Sequence, residues 1–150
     1  MHVEHRIDID APPELVFEVN TNIERWPALT PTVTWVEQLG DAPLKVGSQA
    51  RLKQPRQRPT LWTVEVFEPG RRFVWGASAP GMRMTAEHRV EPTAKGCTNT
   101  LALDLEGAVP RLFGTILRRR LAVVLATENE GFRRESLRLA IEPTRPSPPT

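Results

Sequence analysis

The chain opens on strict alternation. Between positions 2 and 9, Val3, Ile7 and Ile9 (with His5) fall on one face and Glu4, Arg6 and Asp8 on the other, which is the period of a half-buried strand. Asp10-Ala11-Pro12-Pro13-Glu14 stops that strand. Prolines are tolerated in a helix's first turn and an acidic residue there suits the dipole, so a short helix is predicted next, with Leu15, Val16 and Val19 on its apolar side. A second helical turn is predicted over residues 22–26, ending before Pro27. Six strands then follow, at 33–39, 48–54, 61–68, 72–77, 82–91 and 98–106, separated by turn chemistry such as Gly40-Asp41-Ala42-Pro43, Pro69-Gly70 and Pro80-Gly81. Spacers this short imply hairpins and an antiparallel meander. The pattern changes after Gly107 and Pro110: from about 111 to 141 there is no proline, and Leu112, Phe113, Ile116, Leu117, Val123 and Val124 recur at helical spacing. Roughly 30 residues of helix span about 45 Å, enough to cross a whole sheet. Gly131 is a mild defect within it, and the four prolines of 142–150 predict a disordered tail.

The order of elements has a physical consequence. One face of a seven-stranded sheet needs covering and a single long helix is available, so the sheet must curve around it. The expectation is an α+β helix-grip domain over residues 1–141, with a space between the concave sheet, two short helices and the long helix. Such concave apolar spaces hold small ligands. Alternation places Trp62, Val64 and Val66, Phe73 and Trp75, Met82, Met84, Ala86, His88 and Val90, and Leu101, Leu103 and Leu105 on the concave side. Trp35 is expected to join them, although Glu37 shares its face.

The run Ile9-Asp10-Ala11-Pro12-Pro13-Glu14-Leu15-Val16-Phe17, followed by Asn22-Ile23-Glu24-Arg25-Trp26-Pro27, resembles the opening of START-like (SRPBCC, helix-grip) proteins. The likeness is to their polyketide cyclase/dehydrase and lipid-transport group in particular. Lys45-Val46-Gly47-Ser48, Glu68-Pro69-Gly70-Arg71-Arg72-Phe73-Val74-Trp75 and His88-Arg89-Val90-Glu91-Pro92 extend it along the chain. The resemblance implies the same fold and a cavity for an apolar ligand. Its members include aromatase/cyclases, lipid carriers and quinone-binding proteins, so it implies no single function.

Composition narrows the picture modestly. The chain is 39% hydrophobic and 25% charged with a formal net charge of +2, and its basic residues are scattered, which does not suit nucleic acid. The single cysteine, Cys97, rules out an internal disulfide and, following Lys95-Gly96, reads as the first residue of a strand. No leader and no apolar run near the ~18 residues of a membrane span is visible, so a cytoplasmic protein without an integral membrane segment is expected. Histidines at 2, 5 and 88 make no metal-ligand spacing, and no cofactor is expected. A homodimer is compatible with a rim between the small helices and the long one.

The candidate ligand contacts are Trp26, Trp35, Trp62, Trp75, Phe73, Met82, Met84, Phe113, Ile116 and Arg120. Tryptophans and methionines suit an adaptable aromatic-lined pocket, though either also simply fills a core. Arg120 falls in the middle of the helix's predicted apolar face, where a guanidinium needs a partner such as a ligand carboxylate, enolate or phosphate. His88 is the inward residue that titrates near neutrality and is the candidate general acid/base. Three functions remain open: a binder of a polyketide, lipid or isoprenoid-like molecule, a polyketide cyclase or dehydratase working through His88, and a stress-related or regulatory module whose pocket is vestigial. Family cyclases are thought to use arginines on the cavity strands; here Arg83 and Arg89 face away from His88, which favours binding without turnover.

Overall fold

The computed structural model describes residues 1–142, so the predicted tail, from 143 onward, lies outside the described residues. Strand β1 (His2–Ile9) leads into helix α1 (Pro13–Thr21), a 3-10 turn (Ile23–Arg25) and helix α2 (Trp26–Leu29). Strands β2 (Trp35–Leu39), β3 (Gln49–Lys53), β4 (Thr60–Glu68), β5 (Arg72–Ala79), β6 (Met82–Pro92) and β7 (Cys97–Glu106) follow, then helix α3 (Ala108–Ile141). All seven strands form one antiparallel sheet in the order β1-β7-β6-β5-β4-β3-β2. Gly107, at φ 118, turns the chain from β7 into α3. The helix-grip architecture expected from the order of elements is the one observed. Among the described residues no helix is long and apolar enough to cross a membrane.

Three local departures have clear causes. The helical turn expected over 22–26 is the 3-10 turn Ile23–Arg25, but a further helix not expected, α2, begins at Trp26 with Pro27 in its first turn, where the missing N–H is no loss. In β4 a register shift between Val64 and Val66 adds one residue against β5. Past such a bulge the faces exchange, so Phe67 opposes Phe73 and packs on Phe17, with ring centroids 5.8 Å apart. Val66, expected inside, instead pairs with Val74 on the other face. In β2 the inward residue is Val36, because it is in register with the buried Leu52; Trp35 opposes Lys53 and is 38% exposed.

The core lies between the sheet and the second half of α3. Phe73, Leu101, Val64 and Phe132 are fully buried there, with Val16 and Ile23 from the short helices. Each large side chain removed from water contributes roughly 1.5–3 kcal/mol. Gly131 is what lets α2 dock: a β-carbon at this position would overlap the carbonyl oxygen of Leu29. The glycine that reads as a helix defect is a contact point between helices.

Candidate functional site

A cavity of about 270 Å³ lies under α3. Its floor is the concave face of the sheet: Trp62 of β4, Trp75 of β5, Met82, Met84, Ala86 and His88 of β6, and Leu101, Leu103 and Leu105 of β7. Register explains the arrangement. Trp75, Ala86 and Leu103 lie side by side across three strands, as do Phe73, His88 and Leu101 one pair further along. Trp26 of α2 closes one end, and Leu117, Leu121, Val124, Leu125 and Glu128 of α3 form the roof. A shallower depression of about 310 Å³ near Met1, Gly107 and Arg111 has no aromatic lining.

Aromatic rings organise the inner end. Trp26, 3% exposed, meets Trp75 edge-on at 5.4 Å between centroids and lies over His88 at 5.1 Å. Phe73 stacks on the other side of the imidazole at 4.5 Å and 7°. Trp62 adjoins Trp75 at 5.3 Å. The indole N–H groups of Trp26 and Trp62 are buried and find no acceptor among the described residues, so both are unused donors beside the site.

His88 is held by a buried chain of amides. Asn20 Nδ2 donates to the Val16 carbonyl at 2.8 Å and to Asn99 Oδ1 at 3.0 Å. Asn99 Nδ2 donates to Asn129 Oδ1 at 2.7 Å, and Asn129 Nδ2 donates to the carbonyl of His5 at 3.2 Å. With its amide nitrogen engaged, Asn20 turns Oδ1 toward His88 Nδ1, 3.0 Å away. Nδ1 therefore carries the proton and donates, and Nε2 keeps the lone pair. Burial pushes the imidazole down to about 3, because charging it between two rings would strip an imidazolium of water. The result is a fixed, neutral histidine.

Glu128 is the acidic counterpart on the roof. Its Oε1 accepts a hydrogen bond from the Thr32 hydroxyl at 2.8 Å, and Thr32 in turn touches Thr30 at 2.9 Å. Thr32 is its one hydrogen-bond partner among the described residues, made through Oε1 and leaving Oε2 free. Burial raises its carboxyl to about 7, with the Thr32 bond opposing the shift. Glu87 also borders the cavity, but its carboxylate is paired with Arg72 and Arg89. Among the described residues no lysine or arginine lines the space. Cys97, first residue of β7, is fully buried, and burial foremost pushes its thiol up to about 11; it is not a nucleophile.

Of the residues singled out from the sequence, the structure brings Trp26, Trp62, Trp75, Met82, Met84 and His88 to the cavity, with Phe73 directly behind His88. It does not bring Trp35, Phe113, Ile116 or Arg120. Trp35 is on the outer face of β2; Phe113 and Ile116 are 55% and 58% exposed; Arg120 is exposed too. The cause is rotation of α3. Its buried side runs through Leu121, Leu125, Phe132 and Ser136, one residue's step, about 100°, from the face centred on Arg120. A kink at Phe113 (φ −120°, ψ 17°) separates the first turns from the rest. Sequence reasoning misses Asn20, Asn99, Asn129 and Glu128 as site residues. A signal exists for two of them: Asn99 alternates with Cys97 and Leu101, and Asn20 sits four residues after Val16, both at inward positions.

Comparison with known proteins fits this architecture. Residues 1–136 match the family described as polyketide cyclase / dehydrase and lipid transport. Among solved structures, a protein from Thermus thermophilus is 16% identical with a TM-score of 0.77, over 93% of this chain and 99% of that one. A START superfamily protein from Mycobacterium smegmatis is 15% identical with a TM-score of 0.74, over 92% and 98%. The di-domain ARO/CYC BexL is 18% identical with a TM-score of 0.73; the match covers 95% of this chain and 48% of BexL. No curated protein matches. With sequence agreement along nearly its whole length and the helix-grip fold to go with it, the chain belongs to the polyketide cyclase / dehydrase and lipid transport family.

Proposed function

We propose that the protein binds an apolar small molecule of polyketide, lipid or isoprenoid character in the cavity between the sheet and α3. The observation that carries this reading is the cavity itself. It stays open although its walls are tryptophan, methionine and leucine side chains that gain by closing on one another. An unfilled space in a core costs roughly 24 cal/mol per Å³, so about 270 Å³ left empty costs at most on the order of 6 kcal/mol. Total stabilities are about 5–15 kcal/mol, and a ligand in the space offsets much of that cost. An apolar cavity of ~150 Å³ accepts benzene, so this one suits a molecule of two or three fused rings. Mass spectrometry of small molecules released from the denatured pure protein tests the reading. An apolar compound of that size is the expected result. Recovery of nothing apolar, combined with no binding of added aromatic probes, would count against it.

A cyclase or dehydratase reading with His88 as general acid/base has one observation in its favour, the place of His88 in the cavity wall. Its surroundings favour the binder: an imidazole pushed down to about 3 is not protonated at neutrality and is a weak base. If His88 shuttles protons, His88→Ala abolishes product formation while ligand still binds. Unchanged turnover removes the role.

A further inference from the structure

We propose that the cavity sorts its ligands by charge, taking an apolar or aromatic molecule that carries one basic amine, with Glu128 as the carboxylate that meets the ammonium group. This rests on the binding reading above and adds a chemical class to it.

Four observations support it. First, Glu128 stands in the roof of the cavity with one oxygen anchored by Thr32 and the other unpartnered among the described residues. A carboxyl group so placed is held in orientation by Thr32, with its second oxygen open to the space beside it. Second, among the described residues no cationic side chain lines the cavity to supply a partner. The titratable groups that border it with Glu128 are His88, held neutral by the amide chain, and Glu87, whose charge is met by Arg72 and Arg89. Third, Arg120, the residue expected to hold a ligand anion, is exposed on another side of α3; an anionic ligand would meet a carboxylate and no counter-charge. Fourth, three indole rings, Trp26, Trp62 and Trp75, line the same space, and indole π-systems attract cations and repel anions. Glu128 is half-buried, and the part of its hydration already lost on folding pushes the carboxyl up to about 7. A ligand ammonium brought beside it recovers part of that loss.

Three probes of one shape test this: naphthylmethylamine, naphthylmethanol and naphthoic acid, each titrated into the full chain at about pH 8, above the titration of Glu128, with tryptophan fluorescence as the readout. The amine is expected to bind about tenfold tighter than the alcohol, and the acid weaker than either. In Glu128→Gln, which keeps the shape and the acceptor for Thr32, the alcohol is expected to bind as before and the amine to fall to the alcohol's level. Should that variant not fold, acidification of the wild type serves instead. The amine's advantage is expected to shrink as pH falls below about 7 while the alcohol's affinity stays flat. Equal binding of amine and alcohol by the wild type, or an advantage that survives Glu128→Gln, overturns the charge proposal and leaves the cavity reading standing. Failure of all three probes to bind overturns both.

Discussion

The two halves of α3 reverse the usual rule in opposite ways. Over residues 108–123, large apolar side chains (Leu112, Phe113, Ile116 and Val123) stand in solvent beside Arg119 and Arg120. Over residues 124–141, polar side chains go inside: Asn129 and Ser136 are buried with Phe132, and Glu128 meets the cavity. Exposed apolar residues are common on any protein surface, whereas a buried polar one needs a partner and so carries information. Ser136 returns its hydroxyl to the Phe132 carbonyl and is a purely local solution. Asn129 joins the amide chain to Asn99 and His5. Of these three, Glu128 is the one that keeps an oxygen free, and it is the one facing the cavity.

This contrast can be broken at graded cost. The largest effect is expected from Phe132→Ala, which removes a fully buried ring packed beside both Trp26 and His88 and should lower unfolding free energy in denaturant by about 4 kcal/mol. Asn129→Ala leaves the buried Asn99 amide without its acceptor and should cost about 2 kcal/mol in the same measurement. At the other end of the helix, Ile116→Ser and Arg120→Ala touch only solvent-exposed positions and should stay within about 0.5 kcal/mol of wild type. A loss above about 2 kcal/mol at either would mean the first half of α3 is buried in the protein as it exists in solution.

Between these extremes, pH separates roof from floor. His88 has a folded value of about 3 against an ordinary 6.5. Its unfolded form takes up a proton that the folded form refuses, so its contribution is lost as pH falls from about 6.5, by up to about 1.4 kcal/mol per unit. Glu128 has a folded value of about 7 against 4.5. Its folded form holds the proton longer, so stability is lost as pH rises from about 4.5 to 7. The two contributions oppose each other over the shared range. Glu128→Gln should therefore steepen the loss of stability in acid and raise stability near pH 8 by on the order of 2 kcal/mol. His88→Gln should flatten the acid side. Thermal melts at a series of pH values read both.

How much of this can be read in the sequence follows from the same physics. Strands with one wet face announce themselves by alternation, and β1, β5, β6 and β7 are legible residue by residue. β4 is legible as far as Val64; its bulge rests on backbone pairing with β5, which no local pattern records. β2 is an edge strand only five residues long, and its tryptophan, the strongest apolar signal present, points outward. For α3 the apolar residues of the first half set a face that the polar residues of the second half contradict. Weighting apolar content alone puts Arg120 inside and leaves Glu128 and Asn129 outside. The cavity's indole and methionine lining is legible because most of it sits on alternating strands. Its polar chemistry is not, because it is assembled across α1, β7 and α3, more than a hundred residues of chain.

The most direct test of the central claim, a ligand space between sheet and helix, is to fill it. Ala86 lines the cavity between Trp75 and Leu103, so Ala86→Phe places a ring where the ligand would lie. Fluorescence titration with naphthylmethanol should give saturable one-to-one binding in the wild type and none in Ala86→Phe, while the variant's melting temperature stays equal or rises. Undiminished binding in a folded Ala86→Phe would contradict the account, since the ligand would then be held somewhere else.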